Sequence, residues 1–198
     1  TDAVIERERR ERTLEQLVET LITMADRRDP MAANHSARVA AVSRDVAGEM
    51  GLEPILVRTA ELAGRLMNLG KLLVPAEVLN FAGALDERRI RQVRAGIQMS
   101  ADLLAGVEFE GPVAETLRQI QERWDGEGTP VGLLGEQILI TARIVSAANA
   151  FVALTSDRAH RGGMDSDAAA AAMMAEVGKS FERRGKMLEI FFAGRVVR

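Results

Sequence analysis

Side chains that could do chemistry are few in this chain. The 198 residues contain two histidines, His35 and His160, and no cysteine. Disulfides and thiolate zinc sites are excluded, and an imidazole-rich metal centre has almost nothing to be built from. His35 by itself reads as a hydrogen-bonded, partly buried ring. His160, within Arg158-Ala159-His160-Arg161, reads as a surface ring. Neither lies in a nucleophile context, so a Ser-His-Asp set is not credible. There is no P-loop and no dinucleotide fingerprint. What stands out instead is a glycine-rich segment, Trp124 to Gln137, entered through Glu122-Arg123-Trp124-Asp125-Gly126. Glu122 and Asp125 are expected to hold it by accepting hydrogen bonds from backbone or arginine donors, with Trp124 plugging it into the core. Arg143, opening a buried helix, is expected to pair with a carboxylate such as Asp125. Lys71, after Gly70, reads as a solvated cation at a helix end.

The elements that must position these residues are nearly all helices. Leu14, Leu17, Val18, Leu21, Ile22 and Ala25 form an i, i+3, i+4, i+7 stripe. Before them runs Glu6-Arg7-Glu8-Arg9-Arg10-Glu11-Arg12, whose alternating signs suit a solvated helix with i, i+4 pairs. Asp29-Pro30 is a joint. A second helix spans Ser36 to Met50 and closes at Gly51. A third opens at Glu53-Pro54 and runs to about Leu69, where Gly70 ends it. Pro75 to Leu79 is a short turn of helix, and Phe81-Ala82-Gly83 is loop. Asp86 caps a helix to about Ala105, and Pro112 starts another to about Arg123. Ile138 to Leu154 is apolar enough to be buried, and Asp165 caps a final helical region, Ser166 to Phe192. The apolar fraction of 47% supports a proper core, and a net charge of −3 advertises no nucleic-acid surface. No apolar run approaches the ~20 residues of a membrane span. No signal peptide is evident, and a first residue that is not Met suggests a processed chain or an excised fragment.

In order and spacing, His35-Ser36-Ala37-Arg38-Val39-Ala40, Gly70-Lys71, Glu122 through Pro130 and Ala153-Leu154-Thr155-Ser156-Asp157-Arg158 resemble the HD-GYP family. That family is a branch of the HD metal-dependent phosphohydrolases that cleave cyclic di-GMP. The resemblance covers roughly Leu14 to Phe192. It implies an all-α, HD-domain-like helical bundle with an N-terminal signalling-type helix, divided as a charged helical linker over 1–12 and the domain over 13–198. It also implies where a metal site would stand. The family's His-Asp pair falls on Met67-Asn68, a later histidine on Gly96, a His-His pair on Ile120-Gln121, and an aspartate on Asn149. Only His35, at the first metal histidine, and Asp26, at a metal-binding glutamate, keep a ligand type. A thioether and neutral amides do not suit hard or borderline divalent ions. The family's Gly-Tyr-Pro is Gly128-Thr129-Pro130, a hydroxyl in place of an aromatic ring.

These substitutions imply that the chain is not an enzyme, carries no metal or other cofactor, and serves as a catalytically inactive module of a bacterial cyclic di-GMP network. Met67 and Ile120 would then fill the emptied site with apolar volume. A second reading is a receptor that binds a cyclic dinucleotide through Lys71, Arg158 and Arg161 without cutting it. A third is a phosphodiesterase with a rebuilt metal site. The expected partners are a second copy of the chain, joined near residues 1–25, and an upstream sensor or receiver domain in two-component signalling. The expected setting is the cytoplasm, with cyclic di-GMP as the candidate ligand.

Overall fold

The structure, a computed structural model, describes residues 2–28, 34–79, 86–157, 162–182 and 186–192. The Asp29-Pro30 joint, the Phe81-Ala82-Gly83 loop, Arg158, His160 and Arg161 lie outside them. The described residues form nine α-helices: α1 (Asp2–Arg28), α2 (His35–Glu49), α3 (Pro54–Leu66), α4 (Ala76–Leu79), α5 (Glu87–Leu103), α6 (Val113–Gln119), α7 (Ile140–Thr155), α8 (Ser166–Met174) and α9 (Lys186–Phe192). They contain no strand, only two isolated bridges, Asp125 with Leu134 and Val177 with Phe181. The all-α expectation holds.

The centre of the bundle is α2, α3 and α7, each packed on the other two. Val39, Val46, Ala60, Ala63, Ile144, Val145, Ala148 and Val152 are fully buried there. Burying each of the larger aliphatic side chains stabilises the fold by roughly 1.5–3 kcal/mol. α6 packs on α3 and α5; α8 lies on α7, and α9 on α2 and α8. Caps explain several boundaries. The Asp86 carboxylate accepts the Arg89 N–H at 2.8 Å, an N-cap bond. Past α2, Gly51 takes φ +74°, and the N–H groups of Gly51 and Leu52 return to the carbonyls of Gly48 and Ala47. This is the Schellman closure that glycine permits.

Three expectations need correction. The third helix does not run to Leu69: α3 ends at Leu66 and a 3-10 turn, Leu69–Leu73, follows. Ser100 on α5 causes the change, its hydroxyl donating to the Met67 carbonyl at 2.7 Å and accepting the Gly70 N–H at 2.8 Å. α6 stops at Gln119 rather than Arg123, because the chain turns out there to carry Glu122 under the glycine-rich loop. The last helical region is two helices, not one. Gly178, at φ +82°, reverses the chain between them, and the Lys179 carbonyl accepts the Asp125 N–H at 2.9 Å.

α1 is held to the bundle differently from the central helices. Among the described side chains of the predicted apolar stripe, only Ile22 and Ala25 are buried. Leu17, Val18 and Leu21 remain 56%, 41% and 46% exposed, and Met24 beside them 53%. Polar side chains fix the helix instead. Arg28 donates to the carbonyls of Leu72 and Val74 at 2.6 and 2.9 Å, and Glu19 pairs with Arg65 of α3. The Asp26 carboxylate accepts the Ser36 N–H at 3.2 Å. That bond satisfies an amide of the first turn of α2, where Asn34, left-handed at φ 58°, offers no side-chain cap.

Candidate functional site

The residues singled out from the sequence fall into two neighbouring groups. Behind lies a buried polar network. The Ser36 hydroxyl donates to Asp26 Oδ1 at 2.7 Å and accepts from Asn68 Nδ2 at 3.2 Å. Beside it, His35 Nε2 lies 2.8 Å from Asn149 Oδ1. An amide oxygen only accepts, so this contact places a proton on Nε2. His35, Ser36 and Asn68 are all buried. Met67 is 1% exposed and joins the apolar core.

In front lies an open cleft of about 400 Å³. Ile120, Gln121, Gly128, Thr129 and Asn149 line it, together with Arg94, Arg123 and Ser146. Asn149 belongs to both groups: its oxygen is held by His35 while the side chain walls the cleft. Gln121 is locked against α5. Its amide nitrogen donates to the Arg94 carbonyl and its oxygen accepts from Gln98, both at 3.0 Å.

The loop wall is held as the sequence suggested. The buried Glu122 carboxylate accepts the N–H groups of Val131, Gly132 and Leu133 at 2.8–3.3 Å. Asp125 accepts from Arg123 Nε and Nη2 at 3.1 and 2.6 Å and from the Glu127 N–H at 3.0 Å. The Arg123 hydrogen bond, followed by that backbone N–H, holds the Asp125 carboxyl well below its ordinary 3.8, at about 2. A depressed carboxyl stabilises the folded loop above its unfolded value and loses that contribution as pH falls from about 3.8 toward 2. Fluorescence of Trp124, the only tryptophan, should therefore report loosening in that acid window. The Asp125→Asn variant should lose that transition. A variant whose profile superimposes on the parent's would show that the pair does not hold the loop.

The expected partner of Arg143 is corrected. Asp125 is taken by Arg123, and Arg143 pairs with Glu182 at 3.2 Å while its guanidinium lies 5.5 Å from the Trp124 ring centroid. Trp124 is accordingly half-buried against a cation rather than plugged into the core. Lys71 is not a solvated cation but buried in the 3-10 turn, and it does not line the cleft. Gly96 is not an empty place either: a Cβ there would meet Val74 Cγ2 at 2.6 Å, so α5 uses it to close on the segment below. Arg94 and Ser146 are among the cleft residues not anticipated. Arg94 was hidden in a run of arginines on a polar helix, and nothing in its spacing separates it from Arg88, Arg89 or Arg91.

The metals of the resembling family do not fit this donor set. Among the described residues no three His, Cys, Asp or Glu side chains come together. Asp26 and His35 are the ionisable groups at the network, and Asp26 is engaged by Ser36. They fall short of the roughly four to six donors that a divalent ion takes.

A family model described as HD domain matches residues 19–185. Two curated relatives are cyclic di-GMP phosphodiesterases by name. One is the response regulator RpfG of Xanthomonas campestris pv. campestris, 35% identical over 89% of this chain and 46% of its own. The other is PA4108 of Pseudomonas aeruginosa, 36% identical over 75% of this chain and 36% of its own. The 3'3'-cGAMP-specific phosphodiesterase 1 of Vibrio cholerae is 32% identical over 76% of this chain and 36% of its own. This chain thus spans less than half the length of these relatives. A crystal structure of the V. cholerae cyclic GMP-AMP phosphodiesterase V-cGAP3 shares the fold at TM-score 0.62, covering 92% of this chain and 51% of that one at 17% identity.

These comparisons overturn the expectation that the chain is not an enzyme. The relatives are phosphodiesterases by name, and nothing in the comparisons carries a loss of activity. Donors counted against one fixed ligand scheme describe only part of a phosphodiester site. Beside them the chain also has an open cleft. The matched model and the relatives' identity over most of its length show that the chain belongs to the HD domain family.

Proposed function

We propose that this chain is the cyclic dinucleotide-handling domain of a bacterial signalling protein, working in the cytoplasm and taking cyclic di-GMP in the cleft between α5, α7 and the glycine-rich loop. One observation carries this reading. Positions picked out on separate stretches of sequence, Ile120-Gln121, Gly128-Thr129 and Asn149, line one cleft with Arg94 and Arg123 beside them. Cations and neutral donors on a concave wall are the chemistry that phosphodiester oxygens require. The names of the relatives make cyclic di-GMP the first ligand to try. Calorimetric titration of the purified chain should give one dinucleotide per cleft with a Kd of about 10 μM or tighter, and no uptake of GMP in the same range. Absence of heat with cyclic di-GMP at about 100 μM would remove the reading.

The reading extends to assembly. Leu17, Val18, Leu21 and Met24 form an exposed apolar strip on α1, and a symmetric pair is the commonest way soluble proteins cover one. The proposed arrangement is a homodimer with α1 at or near the interface, passing on the state of a sensor or receiver domain such as the response-regulator relative's name implies. Light scattering should return twice the chain mass for the intact protein. A concentration-independent monomer mass refutes the dimer, and a dimer that survives removal of residues 1–12 places its interface beyond the charged run.

A further inference from the structure

Among the described residues, two charged side chains on the cleft carry no hydrogen bond or ion pair, although, behind the Asp125 hydrogen bond, the Glu127 charge helps to raise the Arg123 pKa. Arg94, on α5, and Glu127, on the glycine-rich loop, both line it and both are exposed. The other charged groups of the cleft are occupied: Glu122 by three backbone N–H groups, Arg123 by Asp125. The two walls therefore differ in sign where they are free to act. Their backbones are held in place. The Arg94 carbonyl is tied to Gln121, and the Glu127 N–H is tied to Asp125.

We infer that the cleft orients its ligand by this polarity, with Arg94 taking a phosphodiester oxygen on the α5 wall and Glu127 taking the Watson–Crick edge of guanine on the loop wall. This rests on the reading of the cleft as a cyclic dinucleotide site. A guanidinium matches phosphate oxygens in charge and in its forked geometry. An ionised carboxylate only accepts hydrogen bonds. Guanine presents two adjacent donors on that edge, N1–H and the 2-amino group, which a carboxylate can accept together. Adenine presents an acceptor at N1, which the same carboxylate repels. The donors left on the floor, the Ser146 hydroxyl and the Asn149 amide nitrogen whose oxygen is held by His35, suit the phosphate side rather than the base edge. Glu127 is thus a specificity-determining residue, and Arg94 an affinity-determining one that does not read the base.

The test is a titration of the chain and two variants with cyclic di-GMP and cyclic di-AMP across a salt series. Both positions are exposed, so the variants should keep the parental melting temperature, which is checked alongside. Arg94→Gln should weaken both dinucleotides alike, by about tenfold, and flatten the dependence of affinity on salt. Glu127→Gln should leave salt dependence and cyclic di-AMP affinity in place or improved, and shrink the preference for cyclic di-GMP by about tenfold. An Arg94→Gln variant that binds as the parent does, or that loses only one dinucleotide, overturns the phosphate assignment. An unchanged ratio of the two affinities in Glu127→Gln overturns the base assignment. If the parent binds neither dinucleotide, the function reading fails first; if it binds and the variants do not separate in this way, only the polarity fails.

Discussion

Replacing Gly70 with alanine is expected to lower stability by about 3 kcal/mol, or roughly 10 °C in melting temperature for a chain of this length. A Cβ at Gly70 would stand 1.9 Å from the Gly96 carbonyl oxygen, 2.7 Å from the Ser100 nitrogen and 2.9 Å from Met99 Cβ. The first two are backbone atoms of α5, so no rotamer change relieves them. The helix must move off the 3-10 turn, and the Gly70 N–H bond to Ser100 goes with it. Since α5 carries Arg94 and Ile97, the cleft should open and dinucleotide affinity fall in parallel. The matching control is Gly48→Ala on the exposed side of α2, where a Cβ meets nothing within 4 Å. There the helix should gain about 0.5–1 kcal/mol from propensity alone. Equal melting temperatures for the two variants would show that the contact between α5 and the 3-10 turn is looser than these distances imply.

Little of that contact was legible in the sequence. Gly70 read as a helix stop and Gly96 as a vacated ligand position. Both are close-approach glycines whose meaning depends on a segment about thirty residues away. Local chemistry was legible where it is local. The Asp86 cap, the Gly51 closure and the proline at the start of α3 are set by neighbours within a few residues, and the structure keeps them. The glycine-rich loop was legible in outline, because a buried carboxylate at its start must find donors and the loop's own N–H groups are nearest. The partner of Arg143 was not, since Glu182 comes from the segment that Gly178 turns back toward the loop. The cleft itself was half legible. Motif positions marked Ile120, Gln121, Thr129 and Asn149, whereas Arg94 and Ser146 are identified only by the surface they share.

The second large effect concerns the buried network. The double substitution Met67→His with Asn68→Asp is expected to cost about 2–4 kcal/mol and to leave the chain without a new metal site. Met67 is almost wholly buried among apolar side chains, so an imidazole there must be desolvated without a prepared partner. At position 68 the direction of donation decides the outcome. Asn68 gives a hydrogen bond to the Ser36 hydroxyl, which has already committed its own proton to Asp26. An aspartate in its place can only accept, and would bring a second carboxylate to a group with nothing left to donate. Metal analysis after incubation with manganese checks the absence of a new site, and thermal melting checks the cost. A double variant that melts with the parent, or that retains a stoichiometric ion, would mean that the network is open to water and able to rearrange.

The bond from Asp26 to the start of α2 also decides where this domain can be cut. A truncation that removes the charged run leaves Glu19, Ile22, Ala25, Asp26 and Arg28 in place, and with them every described tie between α1 and the bundle. A truncation that extends through Asp26 removes an amide partner of α2 at its first turn and an acceptor of the Ser36 hydroxyl. The end of the helix is therefore structural mortar for its neighbour, while its beginning is free to belong to something else. A shortened chain that begins between Thr13 and Gln16 keeps the mortar and sheds the rest, and it is the natural minimal unit for crystallisation.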